Sequence, residues 1–196
     1  MQFPLHIIFL CMLIISLNGC TFSALGSAAG SVLQMAGIAK SDIPDAQKSP
    51  RTIHIKLQAR KNLNSDSNGT PFALVVRIYK LRQEGPFLQA AYEIFTMHSK
   101  EKDALGADLI EVKEVTLVPG QDYEIQEKVS RDANFIGVVA LYRAPVPEQW
   151  KLSVPIDIAE KKGIYINAHA CALSVDGGVI PAAKKIGRQN IGRACQ

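Results

Sequence analysis

Where an imidazole and a thiol fall on one side of a short stretch, a thiolate nucleophile becomes possible, and this chain has one such place. Tyr165, Asn167, His169 and Cys171 take alternate positions after Ile164, so a strand there sets all four on one face. A Cys/His dyad of that kind would attack a carbonyl carbon through sulfur, with the imidazole taking the thiol proton. The plainer reading, a disulfide cysteine beside a hydrogen-bonded histidine, is the one favoured, because nothing else catalytic accompanies it. The 196 residues contain no GxSxG elbow, no HExxH, no glycine-rich phosphate loop after a strand, and no CxxC or Cys/His zinc spacing. Glu111 with Glu114, and Asp122 with Glu124, read as strand-surface acids. The sequence therefore predicts no enzyme, no metal and no cofactor. A net charge of +4 is too small a bias for nucleic acid, which calls for a clustered basic face.

A second thiol has different chemistry within reach. Leu17-Asn18-Gly19-Cys20 closes the apolar run from Ile7 to Ile15. A run that short reads as a secretory signal, since a membrane-spanning helix needs about 20 apolar residues. The tetrapeptide resembles the bacterial lipobox, in which the thiol is diacylated, the signal is cut before the Cys, and the new amino terminus is acylated. That resemblance implies Cys20 as the first mature residue, carrying about three acyl chains, and several chains hold a protein to a bilayer where one would not. Thr21 follows it, not the Asp that keeps enterobacterial lipoproteins at the inner membrane, so the outer membrane is expected. Met1 to His6 carries no Lys or Arg, and the alternative is an ordinary signal peptide with an incidental Cys, or an uncleaved anchor.

Taking residues 1–19 as the signal peptide leaves 177 of the 196, enough for one cored domain and a tail. Of the four cysteines, Cys11 leaves with the signal and Cys20 takes lipid, so Cys171 and Cys195 remain as a pair in an oxidising compartment. A bond between them would close a loop of about 25 residues and stabilise by roughly 3 kcal/mol; the alternative is two separate thiols. Residues 20–50 read as a lipidated flexible tether, rich in Ser, Ala and Gly up to Ala39 and broken by Pro44 and Pro50. Its root-mean-square reach is ~30 Å. Residues 176–196 form a tail with Lys184, Lys185, Arg188 and Arg193 and no acid after Asp176.

Between these lies the positioning framework, residues 51–175. Ile53, Ile55, Leu57 and Ala59 alternate with Thr52, His54, Lys56 and Gln58, the pattern of a strand with one dry face. Arg60 to Pro71 is a polar, turn-rich loop with Leu63 as its one bulky apolar residue. Phe72 to Leu81 is apolar on both faces, as in a central or covered strand. Phe87, Ala91 and Phe95 recur at helix spacing, and Ser99 and Gly106 fit the cap and end of a second short helix. Leu109 to Val118 shifts phase between Val112 and Val115, as at a bulge, and Pro119-Gly120 makes a type II turn. Tyr123 with Ile125, Phe135 to Arg143, Trp150 to Ile156, and Ile164 to Ala170 supply further strands. About seven short strands at these spacings predict an all-β, two-sheet antiparallel β-sandwich with a helical insertion at about 86–106.

The residues from Pro71 to Leu81, PFALVVRIYKL, resemble a strand of the TssJ family, the outer-membrane lipoproteins of the type VI secretion system. Further matches follow in order: Leu105-Gly106-Ala107-Asp108-Leu109, Pro119-Gly120, Gly137 to Arg143, then Trp150-Lys151 where the family more often has Trp-Arg. The resemblance covers most of residues 17–157 and leaves out the basic tail. It implies a transthyretin-like sandwich and a scaffolding role, in which the lipoprotein binds the periplasmic C-terminal region of the inner-membrane protein TssM. The family's contact loop maps to Lys61, Asn62, Leu63, Asn64, Ser65, Asp66, Ser67, Asn68 and Gly69, with Ser65 where Pro is common. Leu63, read as exposed, is the candidate anchor for a partner's pocket. Two other classes stay open: a periplasmic lipoprotein whose sandwich binds a small ligand or carbohydrate, and a transthyretin-type hydrolase using His169.

Overall fold

Ile53, Ile55, Leu57 and Ala59 are all buried, and their alternation builds β1 (Arg51–Ala59). The computed structural model describes residues 48–176; the signal segment, Cys20, the tether up to residue 47, and the tail from residue 177 with Cys195 lie outside the described residues. The other strands are β2 (Leu74–Leu81), β3 (Leu109–Leu117), β4 (Asp122–Val129), β5 (Phe135–Ala140), β6 (Lys151–Pro155), β7 (Ile164–Ala168) and β8 (Leu173–Val175). They form two four-stranded sheets, ordered β4-β1-β7-β8 and β3-β2-β5-β6, whose facing apolar side chains make the core of a β-sandwich.

All strand pairs but one are antiparallel; β1 and β7 run parallel, with Ile55 opposite Ile164 and Ala59 opposite Ala168. The expectation of an antiparallel sandwich is corrected on that one pair. Side-chain alternation reports which face a residue takes and is silent on strand direction. The chain leaves β6 through a helix at the end where β1 begins, so β7 must run alongside β1.

That helix (Ile156–Lys162) was not read from the sequence, where Ile156 continues the alternation of Trp150, Leu152 and Val154. The strand stops at Pro155, and Ile156 N–H donates to the Asn134 carbonyl at 2.9 Å as the helix opens. Ile156 and Ala159 face the core, and Gly163, at φ 71°, ends the helix where a Cβ would come 3.2 Å from the His54 carbonyl.

The outer face of the second sheet is covered by the insertion between β2 and β3. It comprises α1 (Gly85–Gln89), α2 (Tyr92–Phe95) and α3 (His98–Leu105), with a 3-10 turn over Gly106–Asp108. Phe87 and Phe95 pack on Tyr79, with ring centroids 5.3 and 5.8 Å away, which is why β2 is apolar on both faces. Gly137 makes room for this lid, since a Cβ there would stand 2.8 Å from the Phe87 ring. Arg77, on the same covered face, donates to Glu101 at 2.6 Å, to Glu114 at 2.9 Å and to the Phe95 carbonyl at 2.8 Å. Lys151 Nζ caps the insertion by donating to the carbonyls of Phe87, Leu88 and Ala90. Gly106 ends α3 at φ 51° as expected, but Ser99 does not cap it, because Met97 holds that position and the helix has no side-chain cap.

The register break expected within β3 lies nearer its start. Lys80 pairs with Glu111 and Leu81 with Leu109, so Ile110 is the extra residue and Val112 points outward, 42% exposed. Gly120 has φ 80° and Gln121 N–H bonds the Val118 carbonyl, the type II turn that Pro119-Gly120 calls for.

Strand registers sort the connections to two ends. The segments 60–73, 118–121, 141–150 and 169–172 gather at one end, where β1 finishes. The segment 130–134 and the helix after β6 lie at the other, where the chain enters at Arg51 and its guanidinium bonds the Ala133 carbonyl; the insertion leaves and rejoins the sheet there but spreads over its face as far as Lys151.

Candidate functional site

The loop from Arg60 to Ala73 has no strand or helix, yet each of its turns has a physical cause. Arg60 N–H donates to the Ala168 carbonyl at 2.9 Å, and Leu63 N–H turns back to Arg60 at 3.0 Å. Leu63 then drives its side chain into the core at 0% exposure, and Phe72 N–H closes on the Leu63 carbonyl at 3.0 Å. Asn64 sits at φ 48°, a left-handed conformation that asparagine tolerates better than most residues. Its buried side chain is used twice: Nδ2 donates to the Ala73 carbonyl at 2.8 Å, and Oδ1 accepts Arg143 N–H at 2.9 Å. Asp66 Oδ1 accepts the N–H groups of Asn68 and Thr70, both at 2.9 Å, folding the tip into an Asx turn completed by Gly69 at φ 79°.

The reading of Leu63 as an exposed anchor is therefore corrected. A lone Leu among polar residues looks available to a partner, but here it is the nail that fixes the loop to the sandwich. Asn64 likewise points inward. Lys61, Asn62, Ser67, Asn68 and Gly69 face solvent, and Ser65 and Asp66 are half-buried. The tie between Asn64 and Arg143 was missed in the sequence, where the only hint was an asparagine in a turn-rich run.

The Cys/His stretch comes to the same end. Tyr165 and Asn167 lie on one face of β7, but the strand stops at Ala168, so His169 and Cys171 belong to the turn leading into β8. Arg60 donates to Asn167 Oδ1, which in turn donates from Nδ2 to Asp176, both at 2.7 Å. His169 Nε2 lies 2.8 Å from Ser174 Oγ, and burial, followed by the nearby Arg60 charge, holds its pKa below the usual range. Cys171 is disulfide-bonded, with its partner outside the described residues. A bonded sulfur is no nucleophile. The acids also have structural partners: Glu111 bonds Lys80, Glu114 bonds Arg77, and Lys56 lies 3.3 Å from Asp122 and 2.8 Å from Glu124. Hydrogen bonds from Gln58 and Lys56 hold Asp122 below the usual carboxylate range.

The family profile described as type VI secretion lipoprotein, VasD, EvfM, TssJ, matches residues 51–171, well over half of the chain. The chain belongs to that family. Solved structures agree with this membership. The type VI secretion lipoprotein TssJ1 from Pseudomonas aeruginosa superposes with a TM-score of 0.59 at 27% identity, over 67% of this chain and 99% of that one. A chain of a type VI membrane complex gives the same TM-score at 26% identity and the same coverage. A chain in a structure of the type VI protein TssM C-terminal domain from EAEC gives 0.56 at 27% identity, over 67% of this chain and 98% of that one. No curated protein sequence matches. The type VI secretion lipoprotein match spans β1 to Cys171, the loop 61–69 included.

Proposed function

We propose that this chain is a non-enzymatic scaffold, acylated at Cys20 and held at the outer membrane, whose loop 61–69 binds the periplasmic C-terminal region of TssM. One observation carries the reading. Leu63, Asn64 and Asp66 lock the loop from inside, leaving Lys61, Asn62, Ser67 and Asn68 displayed on a rigid frame. Binding groups concentrate on loops of that kind. The loop also lies at the end of the sandwich opposite Arg51, where the chain arrives from the tether.

The test is a binding assay between the full chain and the purified C-terminal region of TssM from the same source. Lys61, Asn62, Ser67 and Asn68 are all changed to Ala, with Leu63, Asn64, Asp66 and Gly69 kept. We expect thermal stability to change by less than about 0.5 kcal/mol, as for surface positions, while affinity falls at least about tenfold. Unchanged affinity would remove the loop from the interface.

In the same reading Cys171 pairs with Cys195, tying the basic tail back to this end. Non-reducing digestion should yield one cross-linked peptide holding both residues; a peptide joining Cys171 to any other sulfur would overturn the pairing.

A further inference from the structure

Of the six arginines among the described residues, five spend their guanidinium on the protein itself. Arg51 bonds the Ala133 carbonyl, Arg60 bonds Asn167, Arg77 bonds Glu101 and Glu114, Arg82 bonds Asp132, and Arg131 bonds the Ser49 carbonyl. Arg143 is the exception. Its side chain is exposed, and its guanidinium has no hydrogen bond or ion pair among the described residues; neither Glu148 in its own loop nor Asp66 pairs with it. It is nonetheless held. The guanidinium carbon stands 4.4 Å above the centre of the Phe72 ring, and its own backbone N–H is fixed by Asn64 Oδ1 at 2.9 Å. Phe72 is anchored through the Leu63 carbonyl at 3.0 Å.

A stacked guanidinium has lost much of its rotamer freedom and keeps its edge N–H donors turned outward. The group it matches is a planar pair of oxygens, a carboxylate, which takes two parallel N–H bonds. We infer that Arg143 is an anchor of the docking surface, poised to take a carboxylate of the bound protein, and that the segment 141–150 shares that surface with loop 61–69. The occupant is a carboxylate of a protein and not a lipid phosphate, because Asn64 ties Arg143 to the loop read above as the one that docks a protein. The inference rests on the docking reading above.

The experiment uses the full chain and the purified TssM C-terminal region, with Arg143→Ala, Arg143→Lys and Arg143→Glu read by affinity at low and high salt. Unfolding followed by the fluorescence of Trp150, the one tryptophan, checks that each variant is folded. Arg143→Ala should weaken binding about tenfold and flatten its salt dependence. Arg143→Lys should regain the salt dependence but only part of the affinity, because the fork is lost. Arg143→Glu should bind more weakly than Arg143→Ala. Folded Ala and Glu variants that bind like the parent would overturn the inference, and a loop variant that alone loses affinity would leave the docking reading standing. If the parent chain itself does not bind the TssM region, both fall together.

Discussion

Changing Glu101 to Ala should destabilise the domain by about 3–5 kcal/mol, the largest loss expected of any polar substitution here. Glu101 and Arg77 have side chains only 4% and 8% exposed, with 2.6 Å between Oε2 and Nη1. Removing the carboxylate leaves a guanidinium under the insertion that Glu114, itself half-exposed, offsets only in part. The charge cannot reach water without lifting α3 off β2. Arg77→Ala should be similarly harmful, since it strands Glu101. Replacing both together, as Arg77→Met with Glu101→Leu, should recover much of the loss, because well-packed apolar residues often replace a buried pair at little cost. Urea unfolding followed by Trp150 fluorescence reads all three, Trp150 lying 5.5 Å from Phe95 in the same layer. A Glu101→Ala loss below about 1 kcal/mol would show that the pair does not hold the insertion.

Leu63→Ala should cost about 2–5 kcal/mol, the range for a fully buried leucine whose removal leaves a cavity. The position lies in the loop proposed to dock, and on that proposal the same substitution should also lower affinity for TssM, by way of the loop's conformation and not through a lost contact. The two effects separate on cooling, where a binding defect that arises from unfolding recovers. The four-residue surface variant should show the reverse pattern, with normal stability and weak binding. Leu63→Ala with unchanged stability would mean the side chain is not the nail described above. Replacing the whole loop with a Gly/Ser linker would confuse the two cases, since Leu63 and Asn64 would leave with it.

What could be read from the sequence was set by periodicity. The alternation of Ile53 to Ala59 gave the right face for each residue of β1, and the two-sided apolar character of β2 correctly marked a strand that is both central and covered. Gly106 and Pro119-Gly120 worked because a left-handed backbone position leaves a strong chemical trace. Direction leaves none, which is why the parallel partner of β1 was not foreseen. Ile156 was misassigned because a strand alternation and a first helical turn can share their initial residues. Leu63 misled for a deeper reason: an apolar residue among polar ones has the same local sequence whether it faces a partner or its own core. In the sequence Arg143 is one residue of a motif. Its importance comes from Asn64 and Phe72, which precede it by seventy residues or more and meet it only in the fold.

The position of β1 bears on how the molecule would carry tension. A pull between an acyl anchor upstream of Arg51 and a partner gripping the loop after Ala59 would load β1 along its own axis. That strand lies inside its sheet, with β4 bonded along one side and β7 along the other. Strand hydrogen bonds run across the strand, so such a load passes along the covalent backbone of β1, and the two ladders hold the strand straight without having to slide. The other strands lie off the line of force. A nine-residue strand, about 30 Å long at ~3.3 Å per residue, would then serve as the link bearing the strain between membrane and machine.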